Sequence, residues 1–342
     1  MNLSVLKYKA TLMVAVMCML MMTACDKDDE IFKLSGNIEH LIPAGSYNLL
    51  VFELKDSRYV VASPSLHQLF EYWGLALKRV EYRLDGKLYK LVEEPPFDIV
   101  IRGSDFETSE RHLLSADLVI GGGECEDLMY HFDRNISLNN APEKNMPDFY
   151  LDCNRVKQGE MLVATPVLLE DRSADRYMID EVKYYWDNVL VGTATKPPFE
   201  LNYRVTDVAD TSHSIEAVIS CHDSNGESVV QVCKLSEYLI GSESKSRLDM
   251  ELKSQRRDYV NGQTLSVVGK LCKGNDSNVI FQANVFWDGR KLCSISDFPC
   301  TYDYKLINET LGRHELRLEV ESSEKKGQKN LESISYNIFV LE

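Results

Sequence analysis

The chain has 342 residues and an acidic composition, with 38 Lys and Arg against 53 Asp and Glu and a formal net charge of −15. Polyanion binding normally needs a basic patch or stripe, and no segment of this chain is dense in Lys and Arg, so the composition argues against a nucleic-acid partner. With 44% hydrophobic residues, the chain has enough apolar material for several separate cores.

The first residues form an export signal. Lys7 and Lys9 precede an apolar run, residues 10–22, that is short for a bilayer span, and the signal closes with the sequence MTAC at Cys25. This sequence resembles the lipobox of bacterial lipoproteins, with Met where Leu is more usual. The resemblance implies that residues 1–24 are removed and that acyl chains on Cys25 anchor the protein in a membrane. A transmembrane anchor and a cleaved signal for soluble secretion are the alternatives.

An acidic tether, residues 25–32, follows the signal. Its Lys27, Asp28 and Asp29 resemble the surface-export signal of Bacteroidota lipoproteins, in which a lysine and acidic residues follow the acylated cysteine. That resemblance implies a lipid-anchored protein of the outer membrane that faces the cell exterior. The alternative is a solvated tether without a sorting role, because blocks of like charge are commonly disordered tails.

A segment near the start of the body, residues 65–74, has helical periodicity. Its apolar residues recur at the spacing of one helix face. They are Leu66, Leu69, Phe70 and Trp73. Ser63 or Ser65 is the expected N-cap and Gly74 the expected end, so we predict a short helix inserted into the first domain.

Tyr72 and Trp73 make this insertion a candidate binding site. Both side chains offer a large contact area with a polar group, and such residues suit a glycan or protein ligand. The alternative is that the helix covers the open end of the first domain, because apolar stripes at helical spacing generally face a core.

Three segments that begin about 100 residues apart repeat one pattern. They read VEYRLDGKLYKLVEEPPF, VKYYWDNVLVGTATKPPF and ANVFWDGRKLCSISDFPC. Each contains a turn aspartate and a proline, and a histidine leads a later strand. These landmarks are Asp85, Asp187 and Asp288, then Pro96, Pro198 and Pro299, then His112, His213 and His314. Because about 100 residues is the size of a whole β-sandwich, each repeat can own a core.

The residues around these landmarks predict local structure. Alternating apolar residues before each turn aspartate predict half-buried strands, with Tyr82, Tyr184 and Val285 among the inward positions. The Asp-Gly or Asp-Asn pair predicts a tight hairpin turn. Each proline lacks an N–H and is expected at a strand start or sheet edge. One histidine per repeat at a strand entry predicts a repeated structural hydrogen bond, not a catalytic group.

The repeated pattern resembles the bacterial immunoglobulin-like domains of surface and secreted proteins. The second repeat carries it most fully, through Gly192, Thr193, Pro198, Phe199, His213, Ala217 and Gly226. The resemblance implies an all-β fold of three tandem immunoglobulin-like β-sandwiches, at residues 33–138, 146–240 and 246–342, separated by polar linkers. Such a fold implies no particular activity.

Seven cysteines lie in the body of the chain, and they do not recur at equivalent positions of the repeats. The sequence therefore supplies no shared disulfide framework, although a Cys221–Cys233 or a Cys272–Cys293 bridge stays open. No cysteine pair has zinc-ligand spacing, and we expect neither a metal nor a cofactor.

The sequence lacks the short motifs of metalloproteases, serine hydrolases and P-loop enzymes. We therefore expect a non-enzymatic, lipid-anchored envelope protein that binds a glycan or a protein. The alternative is a structural stalk or an assembly partner of an outer-membrane complex or filament, which predicts an open edge strand. A hydrolase is a remote alternative and would need clustered carboxylates in a cleft between domains.

Overall fold

The structure, a computed structural model, describes residues 35–36, 39, 42–141, 146–169, 177–242, 245–275, 279–323 and 329–341. These residues form an all-β chain of three successive β-sandwiches, which confirms the predicted fold class. The signal and the tether, with Cys25, Lys27, Asp28 and Asp29, lie outside the described residues. Within the described ranges, no helix has the length and hydropathy needed to cross a membrane.

The first domain packs a three-stranded sheet against a four-stranded sheet. Its strands are β1 (Ser35–Gly36), β2 (Tyr47–Leu54), β3 (Tyr59–Leu66), β4 (Ala76–Leu84), β5 (Lys87–Val92), β6 (Ile99–Arg102), β7 (Glu110–Gly121), β8 (Glu124–Cys125) and β9 (Leu128–Leu138). One sheet has the order β2-β3-β6 and the other the order β5-β4-β7-β9, while β1 pairs in parallel with β8. The core between the two sheets includes Tyr82 and Leu114.

The second domain repeats this arrangement. Its strands are β10 (Phe149–Cys153), β11 (Met161–Leu168), β12 (Met178–Trp186), β13 (Val189–Ala194), β14 (Leu201–Arg204), β15 (Ser212–His222) and β16 (Ser228–Leu239). The sheets have the orders β10-β11-β14 and β13-β12-β15-β16. Tyr184 and Trp186 lie in the core between them.

The third domain differs by one strand. Its strands are β17 (Arg247–Leu252), β18 (Asp258–Val260), β19 (Thr264–Cys272), β20 (Ile280–Trp287), β21 (Arg290–Ile295), β22 (Cys300–Lys305), β23 (Gly312–Ser323) and β24 (Lys329–Leu341). The sheets have the orders β17-β19-β22 and β18-β24-β23-β20-β21. The added strand β18 pairs in parallel with the end of β24, from Phe339 to Leu341.

The predicted hairpins are present in all three domains. The turn residues adopt the positive φ angles that tight two-residue hairpins require, for example 49° at Asp85 and 77° at Gly86. The second domain places Asn188 at the glycine position, with φ of 66°. The inward residues of the preceding strands are buried, as the alternation predicted.

The inserted helix is much shorter than predicted. Strand β3 continues to Leu66, and only one helical turn, α1 (Leu69–Tyr72), follows it. Ser63 and Ser65, the predicted N-caps, lie inside β3 and pair with Leu50 and Asn48 of β2. The prediction that one of them caps a helix was wrong. Pairing of β2 with β3 holds this segment in a strand and overrides its local helical periodicity.

A polar network joins the second domain to the third. The guanidinium of Arg155 donates to Asp249 (Nε–Oδ2 2.8 Å) and to Glu251 (Nη2–Oε2 3.0 Å). The hydroxyl of Tyr150 donates to the other oxygen of Glu251 at 2.7 Å, and Lys270 Nζ lies 3.3 Å from it. The side chain of Arg155 is only 6% exposed. Its charge therefore depends on these partners to offset desolvation.

An apolar cluster joins the first domain to the third. Val61, Phe339 and Leu341 are buried together, and the ring of Phe52 lies 4.9 Å from that of Phe339. These contacts connect β2 and β3 of the first domain to the end of β24. The first domain therefore folds back onto the third, and the domains are not strung end to end.

Polar contacts border this cluster. Asp98 accepts the backbone N–H of Arg313 at 2.7 Å, and Arg313 Nε donates to Ser63 at 3.1 Å. Burial raises the pKa of Asp98, against the effect of these donors. Gly312 has φ of +128°, and a Cβ there would lie 2.7 Å from the Cβ of Asp98. Only glycine permits this approach.

Candidate functional site

The three predicted histidines contact the three turn aspartates. The Nδ1–Oδ2 distances are 2.7 Å for His112 and Asp85 and 2.6 Å for the other two pairs. The second carboxylate oxygen accepts the backbone N–H of the residue after each histidine. Each pair lies within one domain, and the sheets keep the three pairs apart. The arrangement ties a hairpin turn to the neighbouring strand.

These hydrogen bonds hold the pKa of each turn aspartate below its ordinary value. For Asp85, the hydrogen bond from His112 is the main cause. For Asp187 and Asp288, burial acts in the opposite direction but is outweighed by the histidine and the following backbone N–H. An ionised carboxylate whose two oxygens both accept hydrogen bonds from the next strand suits a structural role.

The outer ring nitrogens of the histidines differ among the domains. Nε2 of His213 lies 2.8 Å from the Thr211 hydroxyl, and Nε2 of His314 lies 2.7 Å from the Thr310 carbonyl. Among the described residues, Nε2 of His112 is buried without a hydrogen-bond partner. The first domain therefore has the contact between histidine Nδ1 and the turn aspartate, but it lacks the hydrogen bond that Nε2 makes in the other two domains.

The three predicted prolines lie between strands, outside the ladders. The bonds Pro95–Pro96, Pro197–Pro198 and Phe298–Pro299 are cis. In the first domain, the Tyr82 hydroxyl donates to the carbonyl of Phe97, the residue after the proline, at 2.8 Å. The second domain has the same contact from Tyr184 to Phe199.

The aromatic residues proposed as a binding site lie in the insertion of the first domain. Trp73 is half-buried and packs against the first core, with its ring 6.5 Å from that of Phe70. The side chain of Tyr72 lies outside the described residues. Trp186 and Trp287 are buried. All three tryptophans of the chain therefore pack against cores.

The four cysteines of the two candidate bridges carry free thiols, so neither Cys221–Cys233 nor Cys272–Cys293 is formed. Burial raises the pKa of the Cys221 and Cys233 thiols to about 11 and about 12. These thiols behave as small buried side chains. In the described part of the chain, no group of His, Cys, Asp and Glu side chains is arranged to hold a metal ion.

A groove of about 490 Å³ lies where the second domain meets the third. Residues of β16, β17, β23 and β24 line it, together with Arg155 and Arg257. A second groove of about 330 Å³ shares Arg247, Leu248 and Glu332 with the first and extends it along β24. The two grooves adjoin at these shared residues, and together we call them the interdomain groove.

The third sandwich is incompletely closed beside this groove. Ile334 pairs with Leu318, and directly opposed residues share one face of a sheet. Leu318 is buried in the core, yet Ile334 is 41% exposed. In the first domain the matching residue, Phe132, packs edge-on against Tyr47 of β2. In the third domain β17 packs across the sandwich against β23, and the groove is lined by β17 and β24.

Strand β24 also presents a free edge at the groove. Strand β18 pairs only with its last residues, from Phe339 onward. Within the described ranges, no strand pairs with the same edge between residues 329 and 338. Its register with β23 is continuous, so this edge is regular, and among the described strands none forms a ladder with it before Phe339.

Two carboxylates of the interdomain groove, Asp249 and Glu251, are held by ion pairs. Asp249 contacts Arg155 and Arg247, and Glu251 contacts Arg155, Tyr150 and Lys270. Groups committed in this way maintain the joint between the domains. They do not form the free acid–base pair that the hydrolase alternative needs.

Comparison with known proteins identifies no family. No family model and no curated protein matches the chain. Among solved structures, the fibronectin(III)-like modules of Clostridium thermocellum CbhA match at 16% identity and a TM-score of 0.22, covering 56% of this chain and 93% of theirs. A bacterial ice-binding adhesin matches at 13% identity and a TM-score of 0.21, covering 86% and 97%.

The Bacteroides ovatus mixed-linkage glucan utilization locus protein SGBP-B, solved with a mixed-linkage heptasaccharide, matches at 8% identity and a TM-score of 0.19, covering 92% of this chain and 68% of that one. At these identities and TM-scores, the similarities carry no argument about ligand or activity.

The repeated landmarks of the sequence do not indicate the interdomain groove. Arg155 and Glu251 have no counterparts among the repeated landmarks, and each contacts a residue of another domain. One signal for the open edge is present in the sequence, because polar residues fill positions 329–333 at the start of β24 apart from Leu331. A strand that begins so polar is not covered on both faces.

Proposed function

We propose that the protein is a non-catalytic binding protein of the cell envelope that captures an extended polypeptide in the interdomain groove. The observation that carries this proposal is the free edge of β24 beside a groove with an uncovered inward-facing Ile334. A strand added to such an edge gains backbone hydrogen bonds, and its alternate side chains can fill the groove.

A protein ligand is favoured over a glycan by the positions of the aromatic residues. Glycan platforms use exposed aromatic faces. Trp73, Trp186 and Trp287 all pack against cores. The glycan alternative therefore depends on Tyr72, on the exposed part of Trp73 or on an exposed tyrosine such as Tyr89, and the polysaccharide experiment tests it.

Anchoring through Cys25 and exposure on the outer membrane belong to this proposal and rest on the sequence alone. The assembly-partner alternative is compatible with it, because β-strand addition is also how many envelope assemblies join. An extended stalk is disfavoured, since Phe52 and Phe339 join the first domain to the third.

The test uses a synthetic peptide of alternating valine and threonine as the probe and follows binding by NMR chemical shifts. We expect shifts along β24 and β17. Ile334→Lys places a charge in the groove and should weaken binding about tenfold or more, equivalent to about 1.4 kcal/mol. Leu331→Lys is the matched control, because Leu331 lies on the same strand, is 63% exposed and is offset by an odd number of residues, so it faces away from the groove.

Equal effects of the two substitutions, or no binding of the peptide, would contradict the proposal. Affinity electrophoresis in gels that contain soluble polysaccharides tests the alternative. Retardation that Trp73→Ala abolishes would favour glycan binding at the insertion.

A further inference from the structure

A glutamate occupies a core-facing position of the third sandwich. Glu332 pairs with Val320 of β23, and directly opposed residues share one face of a sheet. Val320 packs against the third core. Glu332 lines both parts of the interdomain groove, so its side chain lies on the same inward face as Ile334, two residues later. The inward row of β24 therefore places an acidic residue beside an apolar one.

The other two domains have different residues at this position. The pairing of β7 with β9 places Tyr130 there, and the pairing of β15 with β16 places Gln231 there. Tyr130 is buried and stacks on Tyr47 of β2, with 3.6 Å between the ring centroids. Glu332 is exposed. The third domain thus carries a carboxylate at a position that β2 covers in the first domain.

The basic residues beside Ile334 are engaged by other groups, whereas Glu332 is not. Arg155, Arg247 and Lys234 each form an ion pair with a carboxylate other than Glu332. Arg257 donates to two backbone carbonyls. Across the residues that the structure describes, no ion pair or hydrogen bond holds the carboxylate of Glu332. This carboxylate is therefore available to a ligand.

One further basic residue, Lys245, lines the second part of the groove, which Ile334 does not line. In the described part of the chain, Lys245 forms no ion pair with Glu332. Around Ile334 and the free edge of β24, the charge that lacks a partner is thus negative.

A strand that covers the groove would remove Glu332 from water. Such a strand has its own inward row, which lies opposite Glu332 and Ile334 when it pairs with β24. An ionised carboxylate that is buried without a partner is costly, and an opposite charge in hydrogen-bonding contact offsets this cost. An apolar or acidic residue opposite Glu332 would leave the cost in place, whereas lysine or arginine would offset it.

We infer that the interdomain groove selects an extended polypeptide that has a basic residue opposite Glu332 and an apolar residue two positions away, opposite Ile334. This inference rests on the proposed function and names the residue that sets its specificity. Ile334 recognises the apolar side chain, and Glu332 distinguishes basic ligands from neutral and acidic ones.

Three heptapeptides test the inference. Each has the sequence Thr-Val-Thr-X-Thr-Val-Thr, where X is lysine, valine or glutamate. The sequence reads the same in both directions, so parallel and antiparallel strands present the same inward row. Acetylated and amidated ends remove the terminal charges, so that residue X alone can carry a charge.

Isothermal titration calorimetry of the protein with each peptide is the measurement. Opposite charges across neighbouring strands are stabilising and like charges are destabilising. We therefore expect the lysine peptide to bind at least about tenfold more tightly than the glutamate peptide, which corresponds to about 1.4 kcal/mol.

Variants assign this preference to one carboxylate. Glu332→Lys should reverse the preference, and Glu332→Gln should abolish it. Glu321→Lys is the matched control, because Glu321 pairs with Leu331 on the outer face of the same sheet and its substitution changes the charge by the same amount. This control should keep the preference of the unmodified protein.

Equal binding of the three peptides, or a preference that Glu332→Lys and Glu321→Lys change alike, would overturn the inference and leave the proposed function in place. Absence of binding by all three peptides would overturn both. The failure of the specificity and the failure of the groove are therefore distinguishable.

Discussion

At the scale of single residues, the turn aspartate of each repeat holds the hairpin to the neighbouring strand through both of its carboxylate oxygens. One oxygen of Asp288 binds the ring of His314, and the other binds the N–H of Glu315. The ring of His314 also stacks on Trp287, at 4.8 Å between centroids. The histidine therefore links a turn, a strand and the core.

This contact predicts a pH dependence of stability. Burial of His314 lowers its pKa, but the hydrogen bonds with Asp288 and with the Thr310 carbonyl outweigh burial and raise the pKa above 6.5. The folded state thus favours the protonated ring. Its contribution is complete below pH 6.5 and is lost as pH rises through the raised folded pKa.

Urea unfolding between pH 6 and pH 9 tests this prediction. His314→Gln should cost about 1–3 kcal/mol at pH 6, as expected for a buried acceptor that loses its donor. It should also flatten the dependence at higher pH. An unchanged pH slope in the variant would show that another group titrates. The turn aspartates have lowered pKa values and act in the opposite sense, so stability should fall as pH drops below 3.8.

At the scale of elements, the hairpins were predictable and the inserted helix was not. An Asp-Gly pair such as Asp85-Gly86 sets its turn through φ angles that few other residues adopt, so local sequence decides the structure. The conformation of segment 65–74 depends on residues distant in sequence, because Ser65 pairs with Asn48 of β2 in the sheet. A local pattern could not reveal that competition.

Trp73 supplies the prediction at this scale. Because its half-buried ring packs against Phe70 and the first core, Trp73→Ala should destabilise the first domain by about 2 kcal/mol. Trp73→Phe should restore most of this stability. Chemical denaturation provides the measurement. A stable Trp73→Ala variant that has lost a ligand would instead indicate a binding role for this residue.

At the scale of the whole molecule, the contacts between domains depend on residues outside the repeat. Arg155 reaches Asp249 and Glu251, which lie 94 and 96 positions further along the chain. The repeat pattern predicts three similar bodies because each body uses the same landmarks. The repeat pattern contains no information on how the domains contact each other. Asp98 and Arg155 make such contacts, and neither belongs to the landmarks that recur in all three repeats.

The prediction here concerns rigidity. Arg155→Met removes the charge that compensates Asp249 and Glu251, and loss of one partner from a buried network costs about 3–5 kcal/mol. We expect small-angle X-ray scattering to show a larger radius of gyration, with the domains themselves still folded by circular dichroism. Arg83→Met removes an exposed pair with Glu81 and should leave the scattering curve unchanged. Identical curves for both variants would mean that the Arg155 network does not hold the joint.

The contact between the first and third domains also has a consequence for biosynthesis. Val61 is covered by Phe339 and Leu341, which leave the ribosome long after the whole of the first domain. The first domain can complete its own sheets early, but its patch around Val61 and Phe52 stays bare until the third domain has folded. During synthesis and export this patch is exposed to other apolar surfaces, and a chaperone that shields it would be needed until the third domain has folded.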